Sequence, residues 1–101
     1  MRREGVIYRH PFLVLSLSPN KLRHNRYGFI TSKKLGNAVV RNRVRRLLRE
    51  SVRLLQPDLK TGFDVVIIAR RQIVGQPFAK VKETATAIFR RAMIVEEGHK
   101  Q

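Results

Sequence analysis

Eight lysines and arginines, Lys33, Lys34, Arg41, Arg43, Arg45, Arg46, Arg49 and Arg53, share the 21 residues 33–53 (KKLGNAVVRNRVRRLLRESVR) with a single acid, Glu50. Side chains of this kind do one sort of chemistry well, which is to neutralise phosphates. Arginine outnumbers lysine here, and its planar fork suits bidentate phosphate contacts and stacking on nucleobases. A solvated helix face ordinarily interleaves both signs so that i,i+4 pairs form, whereas Glu50 is within reach of Arg46 and Arg53 alone. Uncompensated like charge weakens a fold unless a partner supplies the anions, so the segment points to a polyanion.

The helix that must hold these groups is written in the same residues. Val40, Val44, Leu47, Leu48, Ser51, Leu54 and Leu55 fall on one arc of about 120°, the spacing of a helix packed on a sheet. Arg41, Asn42, Arg45, Arg46, Arg49 and Arg53 fill the opposite arc. Gly36 suits a tight turn into the helix, Asn37 an N-cap, and Pro57 with Asp58 a stop shortly after Gln56.

Composition agrees with a nucleic-acid partner. The 101 residues carry 22 Lys+Arg against 7 Asp+Glu, a formal charge of +15, and a hydrophobic fraction of 43%. That fraction is too high for a disordered basic tail, and a domain this small buries roughly 60 to 70% of its unfolded surface. With no cysteine there is neither a disulfide scaffold nor a Cys-ligated zinc site. The longest apolar runs, such as 65–69, are too short to span a bilayer, and residues 1–4 do not lead into a signal peptide. The expected location is the cytoplasm.

Around the basic helix, residues 11–18 (PFLVLSLS) and 26–32 (RYGFITS) read as strands joined by a polar turn at 19–25, which predicts a hairpin. Residues 63–69 (FDVVIIA), just after Gly62, form a continuous β-branched run of the kind buried between layers. Beyond Gly75 and Pro77, residues 78–95 place Phe78, Val81, Ala85, Ile88, Phe89 and Ala92 at helical spacing, with Pro77 suited to the first turn. Residues 96–101 read as a frayed tail. The chain is thus expected to be one α+β domain over 1–101, a two-layer α-β sandwich with a three- to four-stranded sheet and helices mainly on one face.

Enzymatic constellations are absent from this pattern. His10, His24 and His99 have no i,i+4 partner and no metal-ligand spacing, and read as surface histidines. Asp58 and Asp64 flank a turn and a strand start, where Asp caps backbone groups, and no two carboxylates pair as a two-metal nuclease requires. No catalytic residue, metal ligand or protein-bound cofactor is expected.

The stretch from Gly28 to Glu50, GFITSKKLGNAVVRNRVRRLLRE, resembles the signature of the protein subunit of bacterial ribonuclease P. In that signature a strand ending in SKK leads through G-N-A-V to a helix opening with R-N-R. The strand ending in Ile68, Ala69 and Arg70 also fits, and the likeness runs from about Gly5 to the second helix. The resemblance implies a left-handed βαβ crossover through the arginine-rich helix, against the usual right-handed rule. It implies a holoenzyme, one protein per RNA subunit, in which the catalytic RNA and magnesium ions remove the 5′ leader of precursor tRNA. The protein would bind that RNA and the leader. Position by position, Lys33, Lys34, Arg41, Asn42, Arg43, Arg45, Arg46 and Arg49 match the segment that faces the RNA.

Two positions depart from the family pattern. Its usual N-terminal basic helix with aromatics is expected to be missing ahead of Gly5, as an internal start at Met1 within a longer gene would produce. Ser16 stands where the family often presents an aromatic to the leader. Tyr27 and Phe29 are the candidates to stack on leader bases instead, though aromatics at period-2 spacing in a strand are more often core.

A ribosomal or other structural RNA-binding protein would share the charge, size and architecture, and the continuous SKKLGNAVVRNRVRR register separates it from the ribonuclease P reading. A membrane-surface helix is the third reading. Against it, the flanking strands need the helix's apolar arc as a lid. On the RNA-binding reading, Arg46→Ala is expected to weaken RNA binding, to shallow its salt dependence by one phosphate, about 0.7 to 0.9 in log–log slope, and to leave the fold intact. Binding titrations across a salt series, alongside circular dichroism, check it, and an unchanged slope counts against the assignment.

Overall fold

A strand made of valine and isoleucine is best satisfied in the middle of a sheet, where both of its backbone edges find partners. The computed structural model describes residues 5–92 and has that arrangement. In chain order it contains β1 (Val6–Arg9), β2 (Leu13–Pro19), β3 (Arg26–Ile30), α1 (Ala38–Leu55), β4 (Phe63–Ala69) and α2 (Phe78–Arg91). The sheet order is β1-β2-β4-β3. β2 runs antiparallel to β4 from Leu13 opposite Ala69 to Pro19 opposite Phe63. β3 runs parallel to β4, with Tyr27 opposite Val65 and Phe29 opposite Ile67.

The expected hairpin between the second and third strands does not form, because β4 lies between them. The connecting loop wraps the start of β4 instead. Asn20 donates its backbone N–H to the Gly62 carbonyl at 2.9 Å, the Phe63 N–H donates to Asn25 Oδ1 at 2.8 Å, and Asn25 Nδ2 donates to the Lys60 carbonyl at 2.9 Å. Two asparagines that read as turn residues are thus long-range ties. β2 takes its hairpin partner from the other side: β1 pairs antiparallel with it from Val6 opposite Leu17 to Arg9 opposite Val14. β1 leaves no burial period in the sequence, being a four-residue edge strand with mostly exposed side chains.

Side-chain alternation divides the sheet into two faces. Leu13, Leu15 and Leu17 of β2 and Val65, Ile67 and Ala69 of β4 are buried, and α1 and α2 complete that core with Val44, Leu48, Val52, Leu55, Val81, Ala85, Ile88 and Phe89. On the other face Val14, Ser16, Val66 and Ile68 are half-buried. β4 is therefore covered on one side only, not buried between two layers, and the architecture is the two-layer sandwich.

α1 begins as its sequence indicates: the Val40 N–H donates to Asn37 Oδ1 at 3.0 Å. Its buried stripe is rotated from the expected arc. Val52 is 3% exposed and Leu54 is 42% exposed, because α2 packs beside α1 and draws the stripe toward the 44, 48, 51, 52, 55 line. Buried Ser51 satisfies its hydroxyl on the Leu47 carbonyl at 2.8 Å. In α2, Pro77 is the N-cap and not the first helical residue. The helical spacing expected through 93–95 and the tail at 96–101, with His99, lie outside the described residues.

His10, expected at the surface, is half-buried at the β1–β2 turn, where its Nδ1 accepts the Phe12 N–H at 2.9 Å. Burial first, then nearby Arg91 and Lys80, hold its pKa below 6.5.

The rotated stripe yields a direct comparison. Val52→Ala is expected to cost about 1.6 kcal/mol for the two methyls lost, before any cavity contribution. Leu54→Ala is expected to stay within about 0.5 kcal/mol. Urea unfolding of the two variants tests this, and equal losses would restore the arc expected from spacing.

Candidate nucleic-acid interface

The interface is built outward from the link between β3 and α1. After β3 the chain makes a 3-10 turn at Lys33–Leu35, which anchors Leu35 in the core and turns Lys33 and Lys34 outward. Gly36 then adopts φ 140°, and a Cβ there would lie 3.2 Å from Val40 Cβ, so the turn needs glycine on both counts. The chain enters α1 at Asn37, and the positive end of the helix dipole lies beside the two lysines with no acid in the first turn to offset it.

Along α1, Arg43, Arg46 and Arg49 are exposed and Arg41 is half-buried. Among the described residues, none of these four, nor Lys33 or Lys34, has a side-chain hydrogen bond or ion pair. Their charge is open to an outside anion. Arg53 differs, since it forms an ion pair with Glu50 that raises the arginine pKa and lowers that of the acid. Of the two arginines within reach of Glu50, it is Arg53 and not Arg46 that takes it. Arg45 also differs: it is half-buried and donates to Thr31 Oγ1 at 2.6 Å and to Asn42 Oδ1 at 3.0 Å.

The structure adds a feature that spacing did not reveal. A cleft of about 520 Å³ opens where β3 and β4 end, lined by Ser32, Lys34, Leu35, Ile68, Arg70 and Arg71 among others. Its floor is apolar and its rim is cationic. The carboxyl ends of adjacent parallel strands are where α/β sheets place ligands, and the parallel pairing of β3 with β4 creates such a position. The Arg70-Arg71 pair directly after the buried strand was the available signal, but its meaning depends on knowing that β4 runs parallel to the strand before Lys34.

Tyr27 and Phe29, the stacking candidates, point to the helix side of the sheet and pack half-buried against the core. The Tyr27 hydroxyl accepts from Asn25 Nδ2 at 3.0 Å. Neither lines the cleft.

Of the two aspartates, Asp58 makes no side-chain hydrogen bond or ion pair among the described residues, whereas Asp64 is engaged structurally. Asp64 accepts from Arg26 Nε and Nη2, both at 2.8 Å, and from Asn20 Nδ2 at 3.1 Å. It therefore ties β4 to β3 and to the β2–β3 loop. His24 is exposed. Among the described residues no three His, Cys, Asp or Glu gather where they could hold a metal ion, and no helix is long and apolar enough to cross a membrane.

The family model described as Ribonuclease P matches residues 1–93. The chain belongs to the ribonuclease P protein family. It is 45% identical over 93 residues to the ribonuclease P protein component of Caldanaerobacter subterraneus, covering 92% of this chain and 80% of that one. Its identity to the ribonuclease P protein component of Chloroflexus aurantiacus is 40% over 96 residues, covering 94% and 71%. The solved RNase P protein of Staphylococcus aureus matches with a TM-score of 0.83 at 27% identity, over 90% of this chain and 84% of that structure. That of Thermotoga maritima gives 0.81 at 27% identity, over 87% and 84%. The ribonuclease P resemblance carried by residues 28–50 thus extends to the fold of the whole described chain.

Within this ribonuclease P family member, Asp64 offers a test by pH. Hydrogen bonds from Arg26 and then Asn20 bring its pKa from 3.8 to about 2. A carboxylate held below its unfolded value adds stability that is complete above pH 3.8 and is lost as pH falls through about 2. Asp64→Asn should therefore be less stable than the parent at neutral pH, with the gap closing between those two values. Urea titrations from pH 2 to 7 measure the gap, and a constant difference would show that the ion pair does not cause it.

Proposed function

We propose that this chain is the protein component of a ribonuclease P that removes the 5′ leader from precursor tRNA. In this reading the RNA subunit carries the chemistry and the protein binds both that RNA and the leader, one protein to each RNA. The observation that carries the proposal is the run of unpaired cations from Lys33 and Lys34 through Arg41, Arg43, Arg46 and Arg49, carried on one turn and the helix that follows it. The names of the relatives, each a ribonuclease P protein component, support it.

The physical action follows from the charge. Where two RNAs approach, phosphates crowd, and fixed guanidinium groups replace the counterions that would otherwise be confined there. The complex then forms with less magnesium. Holding substrate and catalyst in register is itself a large contribution to rate, and it requires no reacting group on the protein. The cleft at the ends of β3 and β4 suits one nucleotide of a single strand, with half-buried Ile68 beneath a base and Lys34, Arg70 and Arg71 about its phosphate. Such a site reads backbone and base faces, so leader binding should tolerate sequence changes. In this reading the magnesium ions belong to the RNA.

Cleavage of a precursor tRNA by the ribonuclease P RNA at low, near-physiological magnesium tests the proposal. Activity is expected with RNA and protein together, and not with either alone. Cleavage by the protein alone would place an active site in this chain. Binding of the RNA without enhanced cleavage would favour a purely structural RNA-binding role.

A further inference from the structure

Arg45 stands in the middle of the basic segment, and its sequence position alone makes it one more phosphate ligand. Its surroundings assign it differently. The guanidinium donates through Nη2 to Thr31 Oγ1 at 2.6 Å, across a sequence separation of 14, and through Nη1 to Asn42 Oδ1 at 3.0 Å. Thr31 is 8% exposed and is the first residue after β3. The bond therefore joins the second half of the basic segment to the point where the chain leaves the sheet.

That link bridges a segment held otherwise by buried Leu35 and by few polar ties. Between β3 and α1 the described bonds are the turn contacts, Leu35 N–H to the Ser32 carbonyl at 3.1 Å and Gly36 N–H to the Lys33 carbonyl at 3.2 Å, and at Asn37 the side-chain cap and the Arg41 N–H to its carbonyl at 3.0 Å. Lys33 and Lys34 have no anionic partner in the protein, and their repulsion from Arg41 and its neighbours pushes the turn away from the helix. A neutral hydroxyl can hold an arginine without cancelling its charge, and a hydrogen bond from a charged donor is among the stronger ones. We propose that Arg45 is a positioning residue, which pins the Lys33–Lys34 turn to α1 through Thr31 so that turn and helix present their cations in one register.

This inference rests on the RNA-binding reading, and Thr31→Val separates the two. It removes the acceptor while preserving size and net charge. Affinity for the ribonuclease P RNA is expected to fall about tenfold or more, the scale of one charge-assisted hydrogen bond, with the salt slope of the parent retained. Amide exchange at Leu35 and Gly36 should quicken while β4 keeps its protection, and Thr31→Ser should restore both properties. Arg45→Met should speed the same amides, and adding Thr31→Val to it should cost no further affinity. The proposal is overturned if Thr31→Val binds and exchanges like the parent while Arg45→Met shallows the salt slope by about 0.7 to 0.9, as loss of a phosphate ligand would. A parent chain whose binding ignores salt would sink the RNA reading. Exchange at Leu35 and Gly36 would still decide whether Arg45 holds the turn.

Discussion

β4 hydrogen-bonds along both edges, antiparallel to β2 and parallel to β3, and the other elements are arranged around that fact. A parallel neighbour cannot be reached by a short turn, so the chain must cross over between β3 and β4, and the crossing segment is α1. The same pairing brings two carboxyl strand ends together and so creates the cationic cleft. The β2–β3 loop, free of any hairpin, uses Asn20 and Asn25 to close over the start of β4. A single choice of strand order thus sets the position of the helix, the cleft and the loop.

The second constraint is electrostatic. A helix carrying this many unpaired arginines would not hold together through its own charge pattern, since the described ion pairs on α1 reduce to Glu50 with Arg53. It is kept in place by the opposite face, where Val44, Leu48, Val52 and Leu55 are buried against the sheet and α2. Hydrophobic burial therefore supports a charge distribution that would otherwise be unfavourable. The charge remains available because the protein does not neutralise it.

Much of this was legible in the residues. Asn37 and Gly36 marked the start of α1, Pro57 its end, and the β-branched run 63–69 coincides with β4, because caps, breakers and side-chain branching act locally. Strand order is not local. The preference of β4 for the centre of the sheet exceeded that of β2 and β3 for each other, and nothing in the 19–25 turn announced it. The rotation that buries Val52 and exposes Leu54 depends on where α2 lies, and α2 comes later in the chain. At the site, residue types identified the cations, but which of them are free was settled by Thr31, Asn42 and Glu50, partners that spacing ranks no higher than many others.

The closure of the β2–β3 loop over β4 also bears on how the protein is made. Its bonds join residues separated by 38 and 44 positions. During synthesis β1 and β2 can pair as soon as they emerge, but β3 must wait with an unsatisfied edge while the whole of α1 is translated. The sheet is incomplete until the last residue of β4 leaves the ribosome. Non-local pairing of this kind is slow to form and exposes strand edges in the interval. The nascent chain therefore displays its cationic segment to the RNA-rich surroundings of the ribosome before the sheet that will carry it exists.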